Sequence, residues 1–358
     1  MLFHTGNQSA ILSGMAHQSL YRVYRPQSWK DVAGQPSVTE ALAEQIKSGK
    51  IGHAYLFAGS RGLGKTSVAR IFAKEIGCTE RDLYEIDAAS HNGVDEIRAL
   101  TENVYTLPFE SPYKVCILDE VHMLTKGAWN AFLKTLEEPP AHAVFILATT
   151  ELEKVPDTVQ SRCQVFTFKK PARAELAKVV ASVAKKEGFS IEPSAADLIA
   201  LLADGSYRDA LSILERVMSV SSDKKLTREE AEKATGAPRR ELVVALAKAL
   251  SVGSADAALT TIRKAADSGI DMKLYLSLVL DYLRAVLLVR HAPELRKEFE
   301  TELGADEYGE VEALAKVKDS KLTHETLRAF LDASARMRYA SVPSLPLELA
   351  VLDLLGQD

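Results

Sequence analysis

Cysteine is scarce: Cys78, Cys116 and Cys163 are the only three in 358 residues. An odd number without C-x-x-C spacing excludes a disulfide framework and reads as three reduced thiols in a reducing compartment. Glycine and proline are also sparse, at 19 and 13, which excludes collagen-like and low-complexity chains. No apolar run reaches 18 residues, so no membrane-spanning helix and no membrane partner are expected. An excess of positive charge is missing too, with 44 Lys and Arg against 49 Asp and Glu and a net charge of −5. That excludes nucleic-acid binding through overall charge but not a local track of phosphate contacts. The first 14 residues have neither the basic start nor the apolar core of a signal peptide. With a second Met at Met15, residues 1–20 read as a tail expected to be disordered. A cytoplasmic protein is the expectation.

What is present is the composition of an ordinary globular chain, 47% apolar and 26% charged. At roughly 150 residues per domain the length suits two or three domains. From residue 53 short β-rich runs alternate with helical patterns. The runs are 53–58, 83–87, 114–119, 143–149 and 164–168. Such alternation predicts a parallel sheet covered on both faces, an α/β domain over 21–171. After Pro171 the strand signal stops. Helices are predicted over 172–186, 194–203, 207–220 and 227–235, with Gly188, Gly205 and Gly236 as stops. They suggest a small helical domain over 172–238. Further helices over 239–251, 254–268, 272–291, 310–317, 323–339 and 345–354 suggest an all-α domain over 239–358. Residues 274–288 are apolar nearly all round, as in a buried helix of a bundle or subunit interface.

Residues 59–66 read G-S-R-G-L-G-K-T, a full G-x-x-x-x-G-K-[ST] loop between a predicted strand and a predicted helix. Gly59, Gly62 and Gly64 let the backbone curl so that its N–H groups converge on phosphate oxygens. The following helix adds its positive N-terminal end. Lys65 is expected to reach the β- and γ-phosphates of ATP, and the Thr66 hydroxyl to ligate Mg²⁺. Leu63 and Ser67 complete the expected nucleotide-binding segment. The second piece is V-C-I-L-D-E-V-H at 115–122. An apolar strand ending in two carboxylates puts them at the C-terminal edge of a parallel sheet, where ligands bind. Asp119 is expected to hold Mg²⁺ through water, and Glu120 to polarise the attacking water.

Further segments carry a resemblance. They are Y-R-P at 24–26, V-A-G-Q at 32–35, E-I-D-A-A-S at 85–90, D-E-V-H-M-L at 119–124 and A-F-L-K-T-L-E-E-P-P at 131–140. L-A-T-T-E at 147–151, S-R-C at 161–163 and G-S-Y-R-D-A-L-S at 205–212 follow in order. Together with the phosphate loop they resemble the tau/gamma family of bacterial DNA polymerase III, the ATPase subunit of the sliding-clamp loader. The resemblance is dense from about residue 20 to 215 and weak in the C-terminal third. It implies an AAA+ P-loop domain, a helical lid, a helical collar and a ring-like assembly. In that family's pattern Thr150, with Thr149 as the alternative, takes the sensor position at the end of a strand. Arg162 would act on the neighbouring subunit's ATP, and Arg208 would reach the γ-phosphate of its own. Tyr24, Arg25, Pro26 and Val32 would line the adenine pocket.

Two departures stand out. The family's four-cysteine zinc module is missing, since Cys78 runs through T-E-R-D straight to Leu83; no structural zinc is expected. The sequence stops at Asp358 without the Pro/Lys-rich linker of a tau form, which a gamma-like form or a cut chain would each explain. The partners implied are copies of the chain, delta-type and delta-prime-type subunits, the β sliding clamp and primer–template DNA. His91, Asn92 and Arg98 are the candidates for DNA phosphates, with Ser90 as expected N-cap of their helix. Lys134 is left open between DNA, clamp and a pair with Glu137. The leading reading is an ATP-hydrolysing clamp-loader motor. The alternatives are a non-hydrolysing scaffold or stator subunit of the same complex and another AAA+ DNA-remodelling ATPase.

Overall fold

The computed structural model describes residues 18–303 and 305–356. The expected tail lies outside the described residues as far as residue 17. Leu20, at its end, is buried and opens the short helix Leu20–Val23. The chain forms two compact units. One comprises residues 1–171 with 205–215, the other 172–204 with 216–358.

The first unit is built on five strands: β1 (Ala54–Ala58), β2 (Leu83–Asp87), β3 (Lys114–Asp119), β4 (Ala143–Thr149) and β5 (Gln164–Thr167). They pair in the order β2-β3-β4-β1-β5, every pair parallel. Side chains of a strand alternate between faces, and in the central strands β3, β4 and β1 both faces are buried. Tyr55 and Phe57 of β1, Val115 and Ile117 of β3, and Val144 and Ile146 of β4 share one core with the helices Pro36–Ser48 and Lys65–Glu75. Leu56, Cys116, Leu118, Phe145 and Leu147 share the other with Val94–Val104 and Lys126–Glu137. Phe132 of the last helix meets Phe145 edge to face, ring centroids 5.2 Å apart. Such double coverage explains why the strands read as continuous apolar runs. Cys78 and Cys116 sit in these cores, and burial pushes their thiols up to about 11 and about 12.

A loop between Val94–Val104 and β3 exposes Leu107 and Phe109 to solvent, yet its backbone is pinned. Buried Asp82 accepts hydrogen bonds from the N–H groups of Phe109 (2.5 Å), Glu110 (3.0 Å) and Ser111 (2.9 Å). Burial alone would raise this carboxyl, but those donors and the Ser111 hydroxyl outweigh it and hold it at about 2.

The second unit is helical, apart from a two-residue parallel pairing of β6 (Ser190–Ile191) with β7 (Lys225–Leu226) that the sequence does not announce. Nor does the sequence announce the helix Arg296–Leu303, and the helix expected over 310–317 is Ala305–Ala315. The apolar stretch falls within Met272–His291, which buries nine side chains. Around that helix lies a network of charges. Arg173 pairs with Asp197, which is 3% exposed, and with Asp281. Arg228 pairs with Glu232 at 3.0 Å and Glu307 at 3.4 Å, and Arg240 with Glu307 at 3.5 Å and Glu310 at 2.7 Å. Burial raises the carboxyls of Asp197, Glu232 and Glu307 despite these cations. The network ties Arg173–Lys186, Pro193–Leu202 and Arg228–Thr235 to Met272–His291 and Ala305–Ala315. Among the described residues no helix is long and apolar enough to cross a membrane.

Two outcomes follow from these anchors. Replacing Arg173 by Ala leaves Asp197 buried without its cation and lowers stability by about 3–5 kcal/mol, read as an earlier denaturant midpoint. Asp82→Asn lowers the Tm at neutral pH. Because the folded carboxyl is depressed from its ordinary 3.8 to about 2, its contribution is present above about pH 4 and lost toward pH 2. The Tm difference between wild type and Asp82→Asn therefore closes across that window.

Candidate functional site

In an all-parallel sheet every strand finishes at the same edge. With β4 between β3 and β1, the ends of all three, Asp119, Thr149 and Ala58, come together. After β1 the chain turns through residues 59–64 into the helix Lys65–Glu75. Gly59 donates to the Thr149 carbonyl at 3.2 Å. A Cβ there would stand 2.6 Å from the Phe168 carbonyl oxygen, at a φ of +150°. A Cβ on Gly62 would overlap the Ser206 hydroxyl at 2.0 Å, and the Gly62 carbonyl accepts from Tyr207 N–H at 3.1 Å. Leu63 is buried and anchors the loop in the core. Gly64, at φ +90°, turns the chain into the helix.

Lys65 is 5% exposed. Its Nζ donates to the carbonyls of Gly59 (2.6 Å) and Ser60 (3.0 Å), and among the described residues no carboxylate lies in ion-pair range. Burial lowers its pKa; Glu120 and Asp119 oppose that and Arg208 adds to it. A buried cation inside a glycine loop that leads into a helix N-terminus suits a polyphosphate anion. The Thr66 hydroxyl donates to Asp119 Oδ2 at 2.6 Å. Two hard oxygen donors side by side at the loop fit Mg²⁺, which keeps most of its sites for water and phosphate. Among the described residues no group of three or more His, Cys, Asp or Glu could hold a metal by itself.

Glu120 follows Asp119 in a left-handed conformation, φ +50°, which costs a non-glycine residue energy and aims its side chain away from the strand direction. Thr150 donates to Glu120 Oε2 at 3.0 Å. Thr149, the alternative, is engaged elsewhere: its hydroxyl accepts from Glu151 N–H at 3.0 Å and meets His122 Nδ1 at 3.1 Å.

The remaining expected residues take different positions. Arg25 reaches the loop region, its Nε donating to Ser67 Oγ at 3.1 Å; burial lowers its pKa, with Arg70 contributing. Tyr24, Pro26 and Val32 are partly buried, and Val32 packs against the core beneath. Gln35 pins this segment to the exit of β5 through two bonds with Lys169 backbone, 2.7 and 3.1 Å. Arg208 is exposed, its guanidinium 5.4 Å from the centre of the Tyr21 ring, one residue from the Tyr207 that bonds the phosphate loop. Arg162 is one-third exposed and pairs with Glu137 Oε1 at 2.6 Å while donating to the Thr158 carbonyl.

One expectation needs correcting. The N-cap of Val94–Val104 is Gly93, not Ser90. Asp87 accepts from the N–H groups of Ala89, Ser90 and His91, so a turn occupies that stretch before the helix begins. Of the three roles left open for Lys134, the pair with Glu137 is not the one seen, since Glu137 pairs with Arg162. His91 and Arg98 are exposed and Asn92 partly so, with Arg98 3.7 Å from Asp95. Sequence reasoning missed three partners: His122, beside Glu120, Glu137, beside Arg162, and Asp82. Only His122 had a signal, its place in D-E-V-H; the others depend on contacts across 25 or more residues.

Comparisons with known proteins agree with this architecture. Residues 34–92 and 81–172 match the family described as DNA polymerase III, delta subunit. Residues 175–223 match the ATPase lid domain of the DNA polymerase III clamp loader subunit, and 226–357 match domain III of DNA polymerase III subunits gamma and tau. The chain is 38% identical over 361 residues to DNA polymerase III subunit tau of Bacillus subtilis, covering 95% of this chain and 63% of that one. It is 36% identical to subunit tau of Escherichia coli, covering 78% of this chain and 46% of that one. It is 34% identical to subunit gamma of Buchnera aphidicola, covering 78% of this chain and 83% of that one. Among solved structures, the Thermotoga maritima RuvB Holliday junction branch migration motor shares the fold. Its TM-score is 0.51 at 22% identity, over 63% of this chain and 79% of that one. The parallel sheet, the phosphate loop, the lid and the helical C-terminal region therefore have one explanation: the chain belongs to the gamma/tau subunit family of bacterial DNA polymerase III.

Proposed function

We propose that this chain is an ATP-hydrolysing motor subunit of the DNA polymerase III clamp loader, which opens the β sliding clamp and loads it on primer–template DNA in the cytoplasm. The observation that carries the reading is the meeting of Lys65, Thr66, Asp119, Glu120 and Thr150 at one sheet edge, joined by Thr66–Asp119 and Thr150–Glu120 hydrogen bonds. In this reading residues 59–67 cradle the phosphates, and Tyr24, Arg25, Pro26 and Val32 form the side of the adenine. Mg²⁺ held by Thr66 and Asp119 supplies charge neutralisation at the phosphates. Glu120 orients a water, and Thr150 holds one of its oxygens. The carboxylate contributes because it is placed beforehand rather than recruited from solvent.

Arg162 is the group offered to a neighbouring subunit. It is long, partly exposed and held by one surface carboxylate, a pair that costs little to exchange for a triphosphate. Arg208 serves its own site, and we read residues 172–238 as the lid and 239–358 as the collar that joins copies of the chain to delta-type and delta-prime-type subunits. A contact made by Arg208 only with bound triphosphate would shift the lid's population with nucleotide. His91, Asn92 and Arg98 are assigned to DNA phosphates.

Three variants test the reading in the assembled complex. Lys65→Ala removes nucleotide binding. Glu120→Gln keeps ATP affinity but lowers kcat by about 10²–10⁴-fold. Arg162→Ala keeps ATP affinity and loses the stimulation by primed DNA and clamp, by up to about 10³–10⁵-fold. Hydrolysis indifferent to the clamp would favour another AAA+ activity. A wild-type complex without hydrolysis at this subunit would favour a scaffold role.

A further inference from the structure

His122 belongs to the short turn Val121–Met123 that follows Glu120. Its side chain is 7% exposed, and both ring nitrogens face acidic groups. Nδ1 stands 3.4 Å from Glu120 Oε2 and 3.1 Å from the Thr149 hydroxyl. Nε2 stands 3.2 Å from Glu151 Oε1. Glu151 is itself fixed, by Lys154 at 2.8 Å and by its own N–H to Thr149. The imidazole thus spans the turn after β3 and the loop after β4. Glu120 has a strained backbone, and its Oε2 is the atom on which both Thr150 and His122 converge.

A glutamate side chain has three rotatable bonds, and a surface copy would sample many orientations. Here one oxygen accepts from Thr150 and lies 3.4 Å from His122 Nδ1, which leaves the other for water. We propose that His122 is a positioning residue for hydrolysis: it braces Glu120 against Glu151 and so fixes the carboxylate that orients the attacking water. The inference rests on the hydrolytic role assigned to Glu120 above. A carboxylate misplaced by about 1 Å loses on the order of 10²-fold in rate, whereas substrate affinity, set by the phosphate loop, is not addressed by this brace.

The test is steady-state ATP hydrolysis by the assembled complex, with nucleotide binding measured separately. His122→Ala is expected to lower kcat roughly 10–100-fold with the ATP KM and Tm nearly unchanged. His122→Asn keeps a donor where Nδ1 stands, facing Glu120, and restores most of the rate. His122→Gln keeps one where Nε2 stands, facing Glu151, and restores less. The near-isosteric amides keep the comparison available if the alanine variant folds poorly. Equal kcat in wild type and His122→Ala, or a loss confined to KM or Tm, overturns the inference. So does Gln rescuing as well as Asn. Glu120→Gln run alongside separates the two layers. If it is inactive while His122→Ala turns over normally, only the brace fails; if it hydrolyses at the wild-type rate, the role of Glu120 itself fails.

Discussion

Parallel pairing is the constraint on which the first unit depends. It forces β1, β3 and β4 to end at one edge, and the register sets Ala58 beside Thr149 and Leu118 beside Leu147. Residues almost a hundred positions apart then become neighbours without any long-range device of their own. The loop after β1 meets Asp119 through Thr66, the turn after β3 meets the end of β4 through Glu120 and Thr150, and Gly59 is fastened directly to Thr149. A change that weakened the apolar cover of either face would loosen these contacts together, since each depends on where the strands stop.

Within that frame polar groups are placed by strain and burial. Gly59, Gly62 and Gly64 take backbone conformations or spaces that a side chain would obstruct. Glu120 accepts a left-handed φ without being glycine, the kind of cost that persists where surrounding contacts over-determine it. Lys65 is kept in a partly dehydrated loop where its charge is opposed by few groups and its attraction for an anion is correspondingly larger. In the second unit the same logic serves rigidity, with Arg173, Arg228 and Arg240 shared among the buried Asp197, Glu232 and Glu307 and the partly exposed Asp281.

The strands and the glycine loop after β1 were legible in the sequence because their signals are local. Continuous apolar runs mark the doubly covered β3 and β4, which have the bounds that those runs suggest, and the edge strand β2, although it carries Glu85 and Asp87, keeps its bounds too. The helix Tyr207–Val220 was equally plain from periodicity, and Met272–His291 from a long run that is apolar nearly all round. Ser190–Ile191 and Lys225–Leu226 were not, since two residues carry no alternation to detect. The helix Arg296–Leu303 is short and strongly polar, and its pattern gives no apolar stripe. The Gly93 cap was missed because a turn, in which Asp87 accepts from the N–H groups of Ala89, Ser90 and His91, holds the serine outside the helix. Glu137 and Asp82 were invisible because nothing near them in sequence names their partners.

The central claim is that a complete site needs Glu120 from one subunit and Arg162 from its neighbour. The most direct measurement is ATP hydrolysis by complexes assembled from mixtures of Glu120→Gln and Arg162→Ala chains, with primed DNA and clamp present. Each variant alone leaves every such site incomplete. In a mixture, an Arg162→Ala subunit can receive the arginine of a Glu120→Gln neighbour while using its own glutamate. The account predicts that the mixture hydrolyses ATP faster than either variant alone, with a maximum at an intermediate ratio. A rate that varies linearly between the two pure variants would contradict it, because it would mean that Arg162 and Glu120 do not meet across subunits.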